Sequence, residues 1–444
     1  MKILLVHPPT GYDLPEYFTP DNLALGYLTS VLRRDGHEVS ILDALVKPLT
    51  TDETVAEILK RDFEVLGVTA NHEQKRELYA IMRSVRKERR AAILVAGGYL
   101  ATLSTEPLFK ELPELDFVVV GEGELVACDV FGRISRGEDW SDTPGVAFMK
   151  DGVLVSNPCP PLIQNLDSLP FPSRDALHEC KSPIPVRISG TRGCYRRCSF
   201  CCVRGFYERS GGRAPRHRSP KNIVDEMESI ISATGFRRFR FVDDSFLGPN
   251  QKAQDRAIEF ADEIRSRKLE VTFAAECRAD EVEKDIMMTL KEAGLRDVFL
   301  GIESGTQCQL DRYNKCISVE TNRKAIGVVR DCGLRLRAGF IMFDPYLTVS
   351  ELVENMQFVS ETGIAQESVK NTNVPFITKV SIYHGTPLVE RLRNDGLLIE
   401  KGTDLDYKFK DRSIRFIYHM LRFTGWLSGA LRNLRRLGRK PAKA

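Results

Sequence analysis

The feature of this 444-residue chain that most constrains its fold is a regular alternation of short apolar runs with amphipathic stretches. "KILLVHPP" is a continuous apolar run ended by two prolines, which is typical of a buried parallel strand. "DNLALGYLTSVLRRDG" then shows apolar residues at helical spacing between an Asp start and a Gly stop. Four more such runs follow: "EVSILDA", "FEVLGVTAN", "AAILVAGG" and "LDFVVVGEGE". The pattern predicts a doubly wound, Rossmann-like α/β domain over residues 1–155.

Small and polar residues follow the predicted strands of this first domain. Ligands of open parallel sheets bind at the carboxyl ends of the strands. We therefore predict a binding edge formed by Asn71, Gly97, Gly98, Gly121 and Gly123. Any one of these glycines could instead only permit a turn. No G-x-G-x-x-G follows the first strand, which argues against a dinucleotide, whereas "GGYLAT" and "GEGE" together favour a bulky ligand against the backbone.

A second set of strands follows a proline-rich stretch, "NPCPPLIQNLDSLPFPSRD", which predicts a linker over residues 156–182. Over residues 183–390 the candidate strands are "IPVRISG", "RRFRFVDD", "EVTFAAE", "DVFLGIE", "RLRAGFIMF" and "FITKVSIY". Six strand–helix units predict an open, partial (β/α)6 barrel whose catalytic face lies at the carboxyl ends of its strands. Polar residues gather at these ends: Asp243, Asp244, Glu276, Arg278 and Glu303.

Four cysteines lie within nine positions, in the loop after the first strand of this barrel. The spacing of Cys194, Cys198 and Cys201 suits three thiolates that each bind a separate iron of a cubane, which leaves a fourth iron open. Zinc is the competing interpretation, but it usually takes two pairs of ligands, and no second Cys or His pair lies at the usual distance. Cys202 could be a fourth ligand; because adjacent residues point apart, we treat it as a bystander.

Composition narrows the class of protein. The net charge of +3 gives no bulk electrostatic case for nucleic acid. The opening apolar run is too short for a signal peptide, and no run of about eighteen apolar residues could span a membrane. We expect a cytoplasmic protein, in which eleven reduced cysteines indicate metal or redox chemistry rather than disulfides.

The motif "CYRRCSFC" matches the pattern C-x3-C-x-aromatic-C, and on it the chain resembles the radical S-adenosylmethionine (SAM) superfamily. The first domain and the stretches "FVDDSF", "LGIESGTQCQLDRYNK", "GFIMFDPYLTVSEL" and "YHGTPLVERLRNDGLL" resemble the members that carry a cobalamin (B12)-binding domain. The resemblance implies a [4Fe-4S] cluster on Cys194, Cys198 and Cys201, with SAM chelated by the open iron. Reductive cleavage of SAM would then release a 5′-deoxyadenosyl radical, fed by a reductant such as flavodoxin or ferredoxin. No D-x-H-x-x-G occurs in the first domain, so a bound cobalamin would lack a histidine lower ligand, or the domain would not use one.

The resemblance also implies roles for individual residues. Phe200 would lie against the adenine, and Asp243 and Asp244 would meet the SAM amino group. Arg278 could clamp the SAM carboxylate through a charge-assisted pair. The two strand-end glutamates are candidates for ribose or amino contacts. Each charged group could instead be a solvated strand end or part of a structural ion pair.

The carboxyl-terminal stretch, residues 391–444, is basic and predicted to be helical. An amphipathic basic helix can lie on a membrane or pack on the barrel. Gly425 and Gly429 interrupt the segment around Trp426, so we expect packing rather than membrane contact.

Three functions fit these features. The resemblance favours cobalamin-dependent C-methylation of a small molecule of specialised metabolism. The alternative is a radical dehydration or rearrangement, such as diol dehydration of an aminosugar, with a B12-type domain that does not use cobalamin. A non-catalytic cobalamin- or metal-binding module is the third, and the intact cysteine motif argues against it.

Overall fold

The computed structural model describes residues 1–10, 21–180, 184–212, 215–364 and 377–423. Its first part alternates strands and helices as predicted. The strands and helices of this part are β1 (Lys2–His7), α1 (Leu23–Arg34), β2 (Glu38–Asp43), α2 (Thr51–Leu59), β3 (Val65–Thr69), α3 (Lys75–Glu88), β4 (Ile93–Gly97), α4 (Tyr99–Leu103), α5 (Thr105–Glu111), β5 (Phe117–Val119), α6 (Gly123–Ser135), β6 (Val146–Lys150) and β7 (Val153–Ser156).

The first sheet has the strand order β2-β1-β3-β4-β5-β6-β7, and β1 to β5 are parallel. Each face of the sheet carries its own apolar core, with Leu4 and Leu66 on one face and Ile3 and Val65 on the other. From β1 the chain adds β2 on one side of the sheet and then β3, β4 and β5 on the other side, so the strand order switches between β1 and β3. Ligands of doubly wound sheets bind at such a switch point. We call this part of the chain the first domain.

The antiparallel hairpin β6–β7 is an element that the sequence analysis missed. Asp151 and Gly152 connect its strands, with φ angles of 52° and 77°. Positive φ at both central residues is typical of a type I′ turn, and Asp-Gly between apolar runs is the usual signal for it. The signal was therefore present in "AFMKDGVLV".

The second part of the chain forms a second, parallel sheet. Its strands and helices are β8 (Val186–Ile188), β9 (Thr191–Arg192), α7 (Cys202–Glu208), β10 (Arg216–His217), α8 (Pro220–Thr234), β11 (Arg238–Phe241), α9 (Gln251–Ser266), β12 (Thr272–Arg278), α10 (Lys284–Glu292), β13 (Leu295–Glu303), α11 (Gln307–Arg312), α12 (Val319–Asp331), β14 (Arg335–Phe340) and α13 (Val349–Thr362).

The order β8-β11-β12-β13-β14 follows the chain, as in an open barrel. The sixth predicted strand, "FITKVSIY", begins outside the described residues at position 376. Its described part pairs with the end of the β14 segment only through an isolated parallel bridge between Phe343 and Lys379. Five strands of the described chain are thus regular where six were predicted, because among the described residues the backbone–backbone hydrogen bonds to the last segment are confined to Phe343. We call this part the barrel domain.

The predicted linker is packed rather than loose. The backbone N–H of Ser173 donates to the carbonyl of Gly26 on α1 at 3.0 Å, and the Ser30 hydroxyl donates to the carbonyl of Phe171 at 2.8 Å. A side chain at Gly26 would place its Cβ 2.8 Å from the Ser173 carbonyl. Residues 181 and 182, the end of the predicted linker, lie outside the described residues.

The carboxyl-terminal part contains α14 (Pro387–Asn394), β15 (Leu398–Lys401), β16 (Asp404–Tyr407) and a helix α15 over residues 412–423. The turn between β15 and β16 docks on the first domain, where Glu111 accepts hydrogen bonds from the hydroxyls of Tyr79 and Thr403. Trp426, Gly425 and Gly429 lie outside the described residues. No helix in the described ranges is long and apolar enough to cross a membrane.

Candidate active site

The cysteine loop follows β8 and β9 at the carboxyl end of the barrel sheet, and β10, which comes after the loop and α7, pairs antiparallel with β9. Asp243, directly after β11, fixes the entry to this loop. Its Oδ1 accepts the backbone N–H groups of Gly190 at 2.7 Å and Thr191 at 3.0 Å. Burial raises the pKa of Asp243 to about 6. Asp243 thus holds the loop backbone through one oxygen, while its Oδ2 is buried without a hydrogen-bond partner; its contact to the SAM amino group stays a prediction.

The side chains between the cysteines anchor the loop to the barrel. The Tyr195 hydroxyl donates to the buried carboxylate of Glu281 at 2.7 Å, and the Ser199 N–H donates to the carbonyl of Tyr313 at 2.8 Å. Phe200 is half-buried and packs edge-on against the ring of Tyr313, with centroids 5.1 Å apart. The motif residues that are not cysteines therefore set the conformation of the loop.

Cys194, Cys198 and Cys201 are half-buried free thiols. Burial raises the pKa of Cys194 and Cys201, and the charge of Cys198 adds to it in both cases, so the middle cysteine lies near the other two. No three His, Cys, Asp or Glu side chains of the described residues form a site for a single metal ion. A cubane takes one thiolate for each of three irons, so the donor set fits the cluster that the motif implies.

Cys202 differs from these three in its surroundings. It is the first residue of α7, and burial raises the pKa of its thiol to about 12, with Asp244 and Glu73 as the charged groups that add to it. Cys201 adjoins it at the helix N-cap. The role of Cys202 as a bystander stays a prediction.

Arg278, at the end of β12, is placed against the cysteine loop. Its Nη1 lies 3.8 Å from Cys198 Sγ, its Nε donates to Asp280 at 2.9 Å, and its Nη2 donates to the Lys315 carbonyl at 2.8 Å. These contacts already occupy the guanidinium. The contact of Arg278 to a SAM carboxylate stays a prediction, and the structure adds that Arg278 is a cationic neighbour of Cys198.

The two strand-end glutamates form ion pairs. Glu276 pairs with Arg240 on the neighbouring strand at 2.6 Å, and Glu303 pairs with the buried Lys315 at 3.0 Å. Glu303 also has a φ of 62°, a left-handed conformation that costs energy for a residue with a side chain. Such strained residues cluster at functional sites, so Glu303 remains a candidate for a ribose or amino contact.

A cavity of about 360 Å³ lies between the carboxyl ends of the first sheet and the face of the barrel that carries the cysteine loop. The five residues of the predicted binding edge all line it: Asn71, Gly97, Gly98, Gly121 and Gly123. Apolar side chains such as Leu5, Leu28 and Val95 cover the rest of the first-domain side. No histidine of the described residues lines the cavity.

From the barrel side, Asp244 lines the same cavity. One of its oxygens accepts the backbone N–H of Gly193, next to the first cysteine, at 3.1 Å. Burial and the charge of Asp243 raise the pKa of Asp244 to about 7. An acid in this position would be charged only in part near neutral pH, and a bound cation would complete its ionisation.

Gly97 and Gly98 differ in what an added side chain would meet. Gly98 has a φ of 89°, and a Cβ there would lie 2.7 Å from Thr69 Oγ1, so the turn itself requires glycine at this position. A Cβ at Gly97 would meet only the carbonyl of Val119, at 3.9 Å, so a side chain there would extend into the cavity.

The acidic residues of "GEGE" join the two domains, a role that the sequence analysis missed. Glu122 accepts from Arg216 at 2.8 Å and from Arg192 at 3.0 Å, and Glu124 accepts from Arg192 at 2.6 Å. The exposed fractions of the four side chains range from 4% to 13%. Although burial opposes ionisation, the two arginines hold the pKa of Glu122 below its usual value. The sequence signal for this role was the presence of two acidic residues directly after a buried strand.

Comparison with known proteins agrees with this architecture. Residues 17–131 match the family model of the B12 binding domain, and residues 188–359 match that of the radical SAM superfamily. A Pyrococcus horikoshii protein named uncharacterized methyltransferase PH0819 is 30% identical over 82% of this chain and 79% of its own length. The chain belongs to the radical SAM superfamily and carries a B12-binding domain.

Other members of this superfamily extend the comparison. The anaerobic magnesium-protoporphyrin IX monomethyl ester cyclase of Synechocystis is 27% identical over 74% of this chain. The structure of the cobalamin-dependent SAM radical enzyme OxsB, with aqua-cobalamin and SAM bound, superposes with a TM-score of 0.78 over 95% of this chain at 22% identity. The chain spans 66% of each of these two proteins.

Membership confirms the predicted fold class and the conclusion that the chain is an enzyme. The cofactors of a radical SAM enzyme with a B12-binding domain are a [4Fe-4S] cluster, SAM and cobalamin. The three clustered thiols fit the first, and the glycine-lined, apolar cavity fits a flat, bulky ligand such as the last. The roles of individual site residues remain predictions.

Replacing Gly97 with Leu should weaken cobalamin binding at least tenfold, because the new side chain fills the open space beside the first sheet. Iron content should not change, since the cysteines belong to the other domain. Absorbance titration of anaerobic protein with cobalamin measures the effect. Gly327→Leu is the control, because its added Cβ also meets open space, on a helix of the barrel domain. Equal cobalamin affinity for both variants would place the cofactor elsewhere.

Replacing Glu122 with Gln should lower the free energy of unfolding by roughly 3–5 kcal/mol, because Arg192 and Arg216 would lose a buried counter-charge. Urea unfolding of the full chain measures this change. Glu138→Gln removes an equal charge from an exposed pair with Arg136 and should have almost no effect. A Glu122 variant as stable as this control would show that the pairs do not join the domains.

Proposed function

We propose that this protein is a cobalamin-dependent radical SAM methyltransferase that methylates an unactivated carbon of a small molecule. The observation that carries the proposal is the cavity of about 360 Å³ that residues of both domains line. Gly97 opens it on the B12-binding side, and Asp244 lines it on the side of the cysteine loop. Transfer of a methyl group to a carbon radical requires cobalt, SAM and substrate to share one such space.

The proposal assigns Cys194, Cys198 and Cys201 as cluster ligands. Arg278 would stabilise the middle thiolate through a charge-assisted hydrogen bond. Asp244 would receive the ammonium group of SAM, since its partial charge and its place beside Gly193 suit a cation next to the cluster. These residues bind and orient; they need no proton transfer of their own.

When bound, the cluster and SAM supply a radical that removes hydrogen from carbon, and cobalamin carries the methyl group. The protein chain itself would position the cofactors and the substrate and exclude water from the cavity. Apolar residues of the first sheet, among them Leu5 and Val95, line the cavity and keep water from reactive species. We place the domain limits at residues 1–155 and 183–390, with a small-molecule substrate and an external reductant such as flavodoxin or ferredoxin.

A second candidate is a radical reaction without methylation, such as dehydration or rearrangement. Two observations support it: one relative is named a cyclase, and no histidine of the described chain lines the cavity to ligate cobalt. The name of the Pyrococcus relative supports methylation instead.

The products of SAM separate the two candidates without knowledge of the substrate. Methyl transfer from SAM leaves S-adenosylhomocysteine, whereas one-electron cleavage yields methionine and 5′-deoxyadenosine. With cobalamin and a reductant, the reconstituted protein should form S-adenosylhomocysteine in an amount that follows bound cobalamin. Mass spectrometry of the quenched reaction measures both products. Formation of 5′-deoxyadenosine alone, whatever the cobalamin content, would contradict methylation and support the second candidate.

The cysteine assignment is checked in the same reactions. Cys198→Ala should lose iron and 5′-deoxyadenosine together, because one cluster ligand is gone. Cys202→Ala is the matched control, a neighbouring half-buried thiol that should retain both. Loss of iron in the control would mean that the ligand set is wrong.

A further inference from the structure

Arg187 is the central residue of β8, the first strand of the barrel. Its neighbours Val186 and Ile188 are fully buried in the core between sheet and helices. Because side chains alternate along a strand, Arg187 points to the opposite side, into the barrel. There it lines the cavity shared by the two domains.

The guanidinium of Arg187 has no hydrogen-bond or ion-pair partner among the residues that the structure describes. Its Nε is fully buried and lacks an acceptor. Arg192, another arginine of the same cavity, has two glutamates. An unpaired cation is costly away from water, so its retention calls for a partner that the chain itself does not supply.

The carboxylates near Arg187 are engaged elsewhere. Asp21 accepts the backbone N–H of Arg187 at 3.2 Å with one oxygen, and its other oxygen pairs with Arg174. Glu276 pairs with Arg240, and Asp43 pairs with His7. None of these acids forms an ion pair or a hydrogen bond with the Arg187 guanidinium, although their charges favour its ionised form.

A like charge adds to the cost. Arg240 lies directly opposite Arg187 in the parallel pairing of β11 with β8. Burial lowers the pKa of Arg187 to about 10 against the opposing charge of Asp21, and Arg240 lowers it further, so the side chain still carries its charge at neutral pH. Like charges placed opposite each other on adjacent strands are destabilising, and Glu276 forms its ion pair with Arg240, not with Arg187.

We propose that Arg187 binds an anionic group of the substrate, a carboxylate or a phosphate, and so sets the substrate's position in the cavity. A planar guanidinium suits such groups because it can donate two parallel hydrogen bonds. Arg192 also lines the cavity, but its charge is compensated by Glu122 and Glu124. Arg187 is therefore the arginine of the lining that is left to bind an anion. The proposal rests on the proposed function in one respect: it takes the shared cavity as the substrate site.

Inorganic phosphate is a probe that needs no known substrate. In the reconstituted full chain, with cobalamin and SAM bound, phosphate at about ten times its dissociation constant should raise the thermal unfolding midpoint by roughly 1–2 °C over chloride of equal ionic strength. Arg187→Gln should abolish this shift, and Arg187→Lys should retain part of it. Arg136→Gln, which removes an exposed charge, should respond as the wild type does. An unchanged phosphate response in Arg187→Gln would overturn the proposal.

The unfolding midpoint in chloride separates a binding role from a structural one. Arg187→Gln should unfold at the same temperature as the wild type or higher, because no partner is lost and an uncompensated charge is removed. A fall of several degrees would show that Arg187 supports the fold, and would contradict the proposal.

Affinities for the two organic cofactors distinguish the source of the anion. Arg187→Gln should bind SAM and cobalamin as tightly as the wild type. A tenfold loss for SAM would assign Arg187 to the SAM carboxylate, and a similar loss for cobalamin would assign it to the cobalamin phosphate; either result rules out the substrate group. None of these readings depends on methyl transfer, so failure of the proposed function would be seen separately, in the products of SAM.

Discussion

The buried ion pairs of Glu122 and Glu124 with Arg192 and Arg216 are the interaction on which the rest of the site depends. The two glutamates follow the last parallel strand of the first sheet. The two arginines face each other in the short β9–β10 ribbon, whose strands lie before and after the cysteine loop. Buried charge pairs add little net stability compared with apolar contacts, but they are costly to separate and demand one geometry. They therefore fix where the B12-binding edge lies relative to the cysteines.

With that relation fixed, each domain contributes what the other lacks. The first sheet offers an apolar edge with open space at Gly97, and no cysteine is among the described residues that line the cavity from this side. The barrel offers thiols on a loop whose backbone is held by Asp243 and Tyr313. The cavity between them is where Asp244 and Arg187 present their charges, one for a cation and one for an anion. This complementarity is the physical basis for a reaction that needs two cofactors and a substrate together.

Much of this arrangement could be predicted from the sequence, because the periodicity of apolar residues and the spacing of motif residues reflect local structure. Continuous apolar runs predicted β1 to β5 and the barrel strands, and the five residues of the binding edge were identified because parallel strands end together. The ion pairs of Glu276 and Glu303 could not be predicted, since their partners depend on strand register and on a loop conformation. The same holds for Arg187: a sequence shows that an arginine is present, but only the fold shows that it has no partner in the described chain.

The central claim is that cobalamin and the cluster occupy one space between the two domains. Electron paramagnetic resonance of protein that holds both cob(II)alamin and the reduced cluster tests it most directly. Two unpaired spins in a shared cavity interact, so the cob(II)alamin signal should relax faster, and saturate at higher microwave power, than in the Cys198→Ala protein without a cluster. Identical saturation behaviour in the two proteins would place the cofactors in separate sites and contradict the account.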